Sequence, residues 1–324
     1  MNFIIYLFAV LKNVIYGSSV LFTGRLTRST DVLDILALRF LMSFAVMLFL
    51  KYSKLVKINV SLKDISKKSP KSKSMRSLIL CGFFEPVLYM LFETLGISMT
   101  RSITASVILS LAPVSNAVSE ILILKETTDW KKNLFLAIGT IGIIYIAVNT
   151  KSTGNTDTFI GIMFVVLAVI TGSLYSVFSR KSSSEFSALD ITYFTSFMGA
   201  AVFNTANIAR HLYVGDISSY FTPYMNIYNL AGFVFLAVIS TVVATGMNNY
   251  ALARMQVSTM GAFSGISTAT AIAEGVIFNK EVLYPFHIIG ISLIIVRMVG
   301  MMWLARKSNG KYVNNTVKKM SYSS

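Results

Sequence analysis

Long apolar runs alternate with short polar breaks along almost the whole chain. A helix that crosses a bilayer needs about 20 mainly apolar residues. Ten runs have that character, near 3–22, 32–51, 77–96, 103–124, 132–149, 158–178, 188–208, 228–250, 257–278 and 287–305. The first lacks a basic leader and a small-residue cleavage site, and Lys12 interrupts its core. It therefore reads as a retained span, not a signal peptide. Most connections are short, which favours antiparallel neighbours. Two stretches break the rhythm. LKDISKKSPKSKSMRS, from Leu62 to Ser77, and the tail from Arg306 to Ser324 are too polar to bury a core and read as loose segments. The pattern predicts an all-α integral membrane protein with ten transmembrane helices.

The second half of this pattern echoes the first. Gly17, Ser18 and Arg25 meet Gly172, Ser173 and Arg180 at an offset of 155, and Leu33-Asp34-Ile35 meets Leu189-Asp190-Ile191 at 156. Phe92 to Gly96 meets Met247 to Ala251, and Lys125-Glu126 meets Lys280-Glu281, again at 155. Residues 1–150 and 151–305 then form two repeats of five spans, followed by a basic tail at 306–324. Five is odd, so the second repeat enters the membrane in the opposite sense. Inverted repeats of this kind build many secondary transporters, with a site near the midplane that opens alternately to either side.

Composition agrees with the pattern. The chain is 54% hydrophobic and 13% charged, with mean hydropathy +0.66, against about 25% charged in soluble domains. A net charge of +15 would suggest nucleic acid in a soluble protein, but here the basic residues lie between apolar runs. Of the 29 lysines and arginines, 20 fall on one side of the ten-span path, 6 on the other and 3 within spans. The loop 51–76 carries much of the excess. The positive-inside rule places that side, and both termini, in the cytoplasm of a cell membrane. Cys81 is the single cysteine, and His211 and His287 lie far apart. No zinc pattern, phosphate loop or nucleophile elbow is visible, so neither an enzyme nor a cofactor is expected.

Several motifs together resemble the EamA family of the drug/metabolite transporter superfamily. They are YGSS at Tyr16–Ser19, LALRFL at Leu36–Leu41, the run from Phe92 to Glu126, NNYALAR at Asn248–Arg254 and FNKEVLYPFHIIG at Phe278–Gly290. The resemblance implies ten helices in two inverted repeats and export of a small molecule. Family members are similar in having a proline in the fourth helix and an acid after it, matched by Pro113 and Glu126. In the second half Glu281 fits, but Thr268 stands where the proline is expected, so the halves need not bend alike. Arg297 replaces a glycine and aligns with Gly142.

Seven ionisable residues fall within spans: Lys12, Arg39, Glu85, Glu93, Glu120, Glu274 and Arg297. Each costs about 2.5–3.5 kcal/mol at a helix centre facing lipid, so they must face a wet cavity, pair, or sit near an interface. Glu120 and Glu274 lie near span ends and read as rim acids. Arg39 reads as structural, as the resemblance implies. Glu93 is deeper, and its repeat mate is Asn248. It is the first candidate for recognising an amine or carrying a proton, with a static pair to Lys12 or Arg297 as the alternative. Glu85 lies eight residues earlier, roughly 80° around an α-helix, so the two acids need not share a face. Lys12 or Arg297 suits a carboxylate, and a cavity with both signs suits a zwitterion such as an amino acid. Tyr16, Tyr89, Tyr175, Asn13, Asn116 and Asn249 are further candidate contacts, with Pro113 as a flex point. The expected function is secondary transport of a small metabolite, an amino acid or related compound, with the bilayer and protons as partners and no nucleic acid. Export of cationic drugs is the alternative, and a non-transporting scaffold or a membrane enzyme the reading from another class.

Overall fold

The computed structural model describes residues 2–60, 73–125, 130–150, 158–280 and 284–304, except 298 and 302. Glu126, Glu281, most of the basic loop and the tail lie outside them. The regular secondary structure of the described residues is all helical, with no strand among them. Seven helices are long and apolar enough to cross a bilayer. They are α1 (Ile4–Leu26), α2 (Val32–Tyr52), α3 (Met75–Ser98), α4 (Ser102–Leu124), α6 (Phe159–Ser182), α8 (Ile227–Leu252) and α9 (Val257–Ala262 continued by Ser264–Asn279). The other apolar runs of the sequence fall on α5 (Trp130–Thr150), the more polar α7 (Ala188–Val214) and α10 (Pro285–Met301).

Local chemistry sets the helix ends. Ser187 caps α7 in a reciprocal box, its hydroxyl accepting the Asp190 amide while the Asp190 carboxylate accepts the Ser187 amide. The other oxygen of Asp190 accepts the amides of Asn59 and Val60 and so ties down the chain after α2. α4 and α9 end alike, on lysines in the left-handed region, Lys125 (φ 56) and Lys280 (φ 54). That conformation normally favours glycine, and its recurrence at the same offset extends the repeat from sequence to backbone. A second echo lies in α3 and α8, which carry π-helical stretches at Phe83–Tyr89 and Phe235–Ala244.

Helices four and nine both break. Pro113 has no N–H, and the Val114 amide turns back to Leu111, so α4 divides into Ser102–Leu109 and Ala112–Ser119. Sequence alone suggests that α9, lacking the proline, can stay straight. It does not: the Phe263 amide bonds Met260 and the Ile266 amide bonds Phe263, tight turns that interrupt the helix. Thr268, in the proline's place, donates its hydroxyl to the Ser106 and Ser264 carbonyls. The two broken helices meet closely. A Cβ on Gly261 would come within 2.5 Å of Asn116 Nδ2, and Asn116 donates to the Val257 carbonyl at 3.4 Å.

Apolar side chains pack the interior, with Ala9 of α1 in one cluster with Met260 and Phe263 of α9, and Phe40 of α2 stacked on Phe203 of α7. Large apolar residues such as Phe49, Leu122, Trp130, Phe159 and Ile277 face outward. In water they would be a liability; against lipid they are the expected surface.

Candidate functional site

Against this apolar exterior, the interior is charged. Lys12, Arg39, Glu85, Glu93, Glu120 and Arg297 are all more than nine-tenths buried. Four of them line one cavity of about 140 Å³: Lys12 from α1, Arg39 from α2, and Glu85 and Glu93 from α3. Tyr16, Asn13, Tyr89, Asn116, Tyr175 and Asn248 line it too, with serines from α4, α6, α8 and α9. The cavity therefore draws on both repeats.

The π-helical stretch of α3 explains why Glu85 and Glu93 share this space. Wider turns advance the chain through a smaller angle per residue than an α-helix. Across Phe83–Tyr89 this takes back much of the 80° offset that regular helical spacing implies. Tyr89 sits between the two acids and donates its hydroxyl to Glu93 at 2.6 Å. Its ring packs where Gly172 leaves room, since a Cβ there would lie 2.9 Å from the ring. Glu85 makes no hydrogen bond or ion pair among the described residues.

Arg39 has fixed partners on α8, donating to Thr241 Oγ1 at 2.9 Å and Ser240 Oγ at 3.3 Å. Those hydroxyls hold the guanidinium in place, and it remains within electrostatic reach of both glutamates. Arg39 thus belongs to the cavity wall as well as the scaffold, which its place in the LALRFL motif alone does not reveal. Lys12 stands apart. Its ammonium lies 5.1 Å from the centre of the Tyr16 ring and makes no hydrogen bond or ion pair among the described residues. Tyr16 directs its hydroxyl to Thr245 of α8 at 3.2 Å.

The height of Lys12 follows from its neighbours. Ala9 shares one apolar cluster with Met260 and Phe263, and Gly17 approaches Ser267 so closely that a Cβ would lie 2.5 Å from its carbonyl. Lys12, between them, is level with the break in α9. Ala112 and Ser264, the first residues after the two breaks, line the same cavity. Helix N-termini carry partial positive charge, so this end of the cavity favours an anionic group.

Two candidate residues lie elsewhere. Asn249 is fully buried behind the cavity, accepting from Tyr175 at 2.6 Å and Ser179 at 2.8 Å and donating to Thr192 at 3.1 Å. Arg297 is fully buried between α4, α5 and α9 and does not line the cavity. It donates to the Ser110 carbonyl at 2.9 Å, which the break at Pro113 releases, and reaches Ser264 Oγ at 3.4 Å. Gly139 of α5 makes room for it, because a Cβ there would overlap the Arg297 side chain. Glu120 is held by Arg180 at 2.8 Å and by the Val257 amide at 2.9 Å. Glu274 accepts from Ser18 at 2.6 Å. Among the described residues no cluster of histidine, cysteine and acids is suited to a metal ion.

Relatives share this length and layout. The chain is 27% identical over 295 residues to the uncharacterized transporter YcxC of Bacillus subtilis (strain 168), covering 91% of each. It is 22% identical over 285 residues to YetK, an uncharacterized transporter of the same organism, covering 87% of this chain and 81% of that one. A protein crystal structure with 14% sequence identity has the same fold, with a TM-score of 0.67 over 92% of this chain and 96% of that one. The EamA-like transporter family pattern matches twice in succession, at residues 3–148 and 159–303. This multi-pass membrane protein, built as two successive matches to one family pattern, belongs to the EamA-like transporter family.

Proposed function

We propose that the protein is a secondary transporter that exports a small zwitterionic metabolite, an amino acid or a close relative, across the cytoplasmic membrane by alternating access. In this reading ten helices span the bilayer as two inverted five-helix repeats, with both termini in the cytoplasm. The observation that carries the substrate class is the pairing of opposite charges in one buried cavity without mutual neutralisation. Glu85 and Glu93 supply an acidic end beside Arg39 and Tyr89. Lys12 and the two helix breaks supply a basic end. An α-ammonium suits the first and a carboxylate the second. A ligand carrying both poles leaves the charge of the cavity unchanged, which matters where an uncompensated charge is costly.

Counterflow in proteoliposomes tests this. Vesicles preloaded with a mixture of the common L-amino acids are expected to show saturable exchange with at least one of them. Its carboxamide and its decarboxylated amine are expected to compete at least about tenfold more weakly, the cost of losing one good polar contact. Lys12→Gln is expected to erase that preference for the carboxylate. The acidic, tyrosine-rich end also suits an organic cation. Exchange of tetraphenylphosphonium without any amino acid would establish the cationic-drug reading instead.

A further inference from the structure

The two ends of the molecule carry the same set of polar residues in different states. At the lysine-rich end, Glu120 near the end of α4 is 2% exposed. Its Oε1 accepts Arg180 Nη1 of α6 at 2.8 Å and the amide of Val257, the first residue of α9, at 2.9 Å. One carboxylate therefore joins the ends of α4 and α6 to the start of α9.

The repeat places a counterpart at the opposite end. A shift of 155 carries Arg180 onto Arg25 of α1 and Val257 onto Ser102, the first residue of α4. At the same shift Glu120 falls on Gly275 of α9, whose neighbour Glu274 is the acid near this end of that helix. These three residues are not joined in the same way. Glu274 accepts Ser18 through Oε1, and its buried Oε2 has no partner. Arg25 is exposed and makes no ion pair among the described residues. Its guanidinium lies 5.7 Å from the ring of Phe278, one helical turn beyond Glu274. A buried carboxylate oxygen without a donor, one turn from an exposed arginine, is an incomplete site.

We propose that Glu120–Arg180 and Glu274–Arg25 are paired latches that close in alternation. The first holds the lysine-rich end shut in the present conformation. The second closes the opposite end in the other conformation, when Arg25 moves inward by about one turn, ~5.4 Å, to the free oxygen of Glu274. Because the two latches share one chemistry, breaking one and making the other leaves the two states close in free energy, as a carrier that must visit both requires. This rests on the alternating-access reading above and adds the residues that shut each end.

Accessibility of one cavity residue tests it. In full-length protein carrying Cys81→Ser, Ser267→Cys places a thiol on the cavity wall. A membrane-impermeant maleimide is applied to right-side-out and inverted vesicles. Arg180→Gln or Glu120→Gln is expected to lower labelling from outside several-fold and raise it from inside. Adding Arg25→Gln or Glu274→Gln to Arg180→Gln is expected to restore outside labelling, because neither end then holds shut. The exchanged pair Arg25→Glu with Glu274→Arg is expected to behave like the parent, while Arg25→Glu alone does not. This pair also guards against a variant that simply fails to fold, which size-exclusion chromatography reveals. If the Arg180 variants shift labelling but the Arg25 and Glu274 variants never modify that shift, alternating access stands and the second latch is wrong. If no variant shifts labelling in either vesicle, alternating access fails and the latches fail with it.

Discussion

In the proposed transport cycle, Glu93 is the residue on which recognition and coupling converge. It lines the cavity, lies more than nine-tenths buried, and keeps one hydrogen bond, from Tyr89. Glu93→Gln preserves shape and the capacity to accept that bond but removes the charge. Counterflow of any amine-bearing substrate is expected to fall by at least about tenfold, and acceleration by an imposed proton gradient to disappear, since hydrogen bonds to a charged group contribute about 1.5–3 kcal/mol. Tyr89→Phe removes a neutral donor and is expected to cost only a few-fold. Unchanged rates and unchanged pH response in Glu93→Gln would take Glu93 out of the mechanism. Outside the apolar run that ends near residue 208, His211 offers a second residue-scale effect. Its Nε2 lies 2.9 Å from Asp34 Oδ1 and its Nδ1 2.8 Å from the Asp216 carbonyl. Both ring nitrogens face acceptors, which the imidazolium satisfies together, while Arg210 Nη2, a donor 3.2 Å from Nε2, favours the neutral ring. The hydrogen bond to Asp34, then that to the Asp216 carbonyl, raise its pKa, with neighbouring Arg210 opposing them. Stabilisation from a raised histidine is complete below the ordinary value and is lost as pH rises through the folded one. Between about pH 6 and pH 9, the melting temperature of the wild type is expected to fall relative to that of His211→Gln. Parallel curves would show that the charge of His211 does not support the fold.

Elements explain what single residues do not. Arg297 looks like a substrate group in the sequence because an arginine within an apolar run must find something polar. The polar partner is a helix end. At the break beside Pro113 the Val114 amide bonds Leu111, which leaves free the Ser110 carbonyl, at the C-terminal and therefore negative end of the first half of α4, and Arg297 occupies it. The sequence shows the proline and the arginine but not that they answer each other, because 184 residues separate them. The break in α9 is still less legible, since no proline marks it. It arises where α9 crosses α4, with Gly261 against Pro113 and Asn116. Likewise, the π-helical turns that bring Glu85 to the side of Glu93 leave no signature beyond Pro86. From this follows a contrast between two variants. Pro113→Ala is expected to leave the break largely intact, because α9 breaks without a proline and Arg297 still holds Ser110. Arg297→Met leaves that buried carbonyl unpaired, at a cost of about 1–3 kcal/mol, and is expected to lower the melting temperature clearly more than Pro113→Ala does. The reverse order would mean that proline geometry, not the arginine, maintains the break.

At the scale of the whole molecule, periodicity and charge counting carry most of the weight. The apolar runs of the sequence fall on helices, and the 155-residue offset reappears in left-handed lysines at the ends of α4 and α9. Helix placement was legible because lipid imposes a single long-range rule, that every backbone polar group be satisfied within its own segment. The proposed orientation rests on a different and purely electrostatic rule, the excess of lysine and arginine on the cytoplasmic side, and the proposed sense of the two latches rests on it too. The loop 215–226 between α7 and α8 contains Asp216 and no lysine or arginine, whereas the last turn of α2 and the chain after it carry Lys51, Lys54 and Lys57. Alkaline phosphatase, active only outside the cytoplasm, is therefore expected to be active when fused after Met225 and inactive when fused after Lys57 or at Ser324. Green fluorescent protein fused at the same places should give the opposite pattern. With five spans in each repeat, as proposed, fusions at equivalent loops 155 residues apart should report opposite sides. A fusion after Ser53 is expected to be silent and one after Ile208, at the far end of α7, active. Equal activity at such paired positions would show that the two repeats run in parallel. The Arg25 and Arg180 latches would then lie on the same side of the membrane and could not close in alternation.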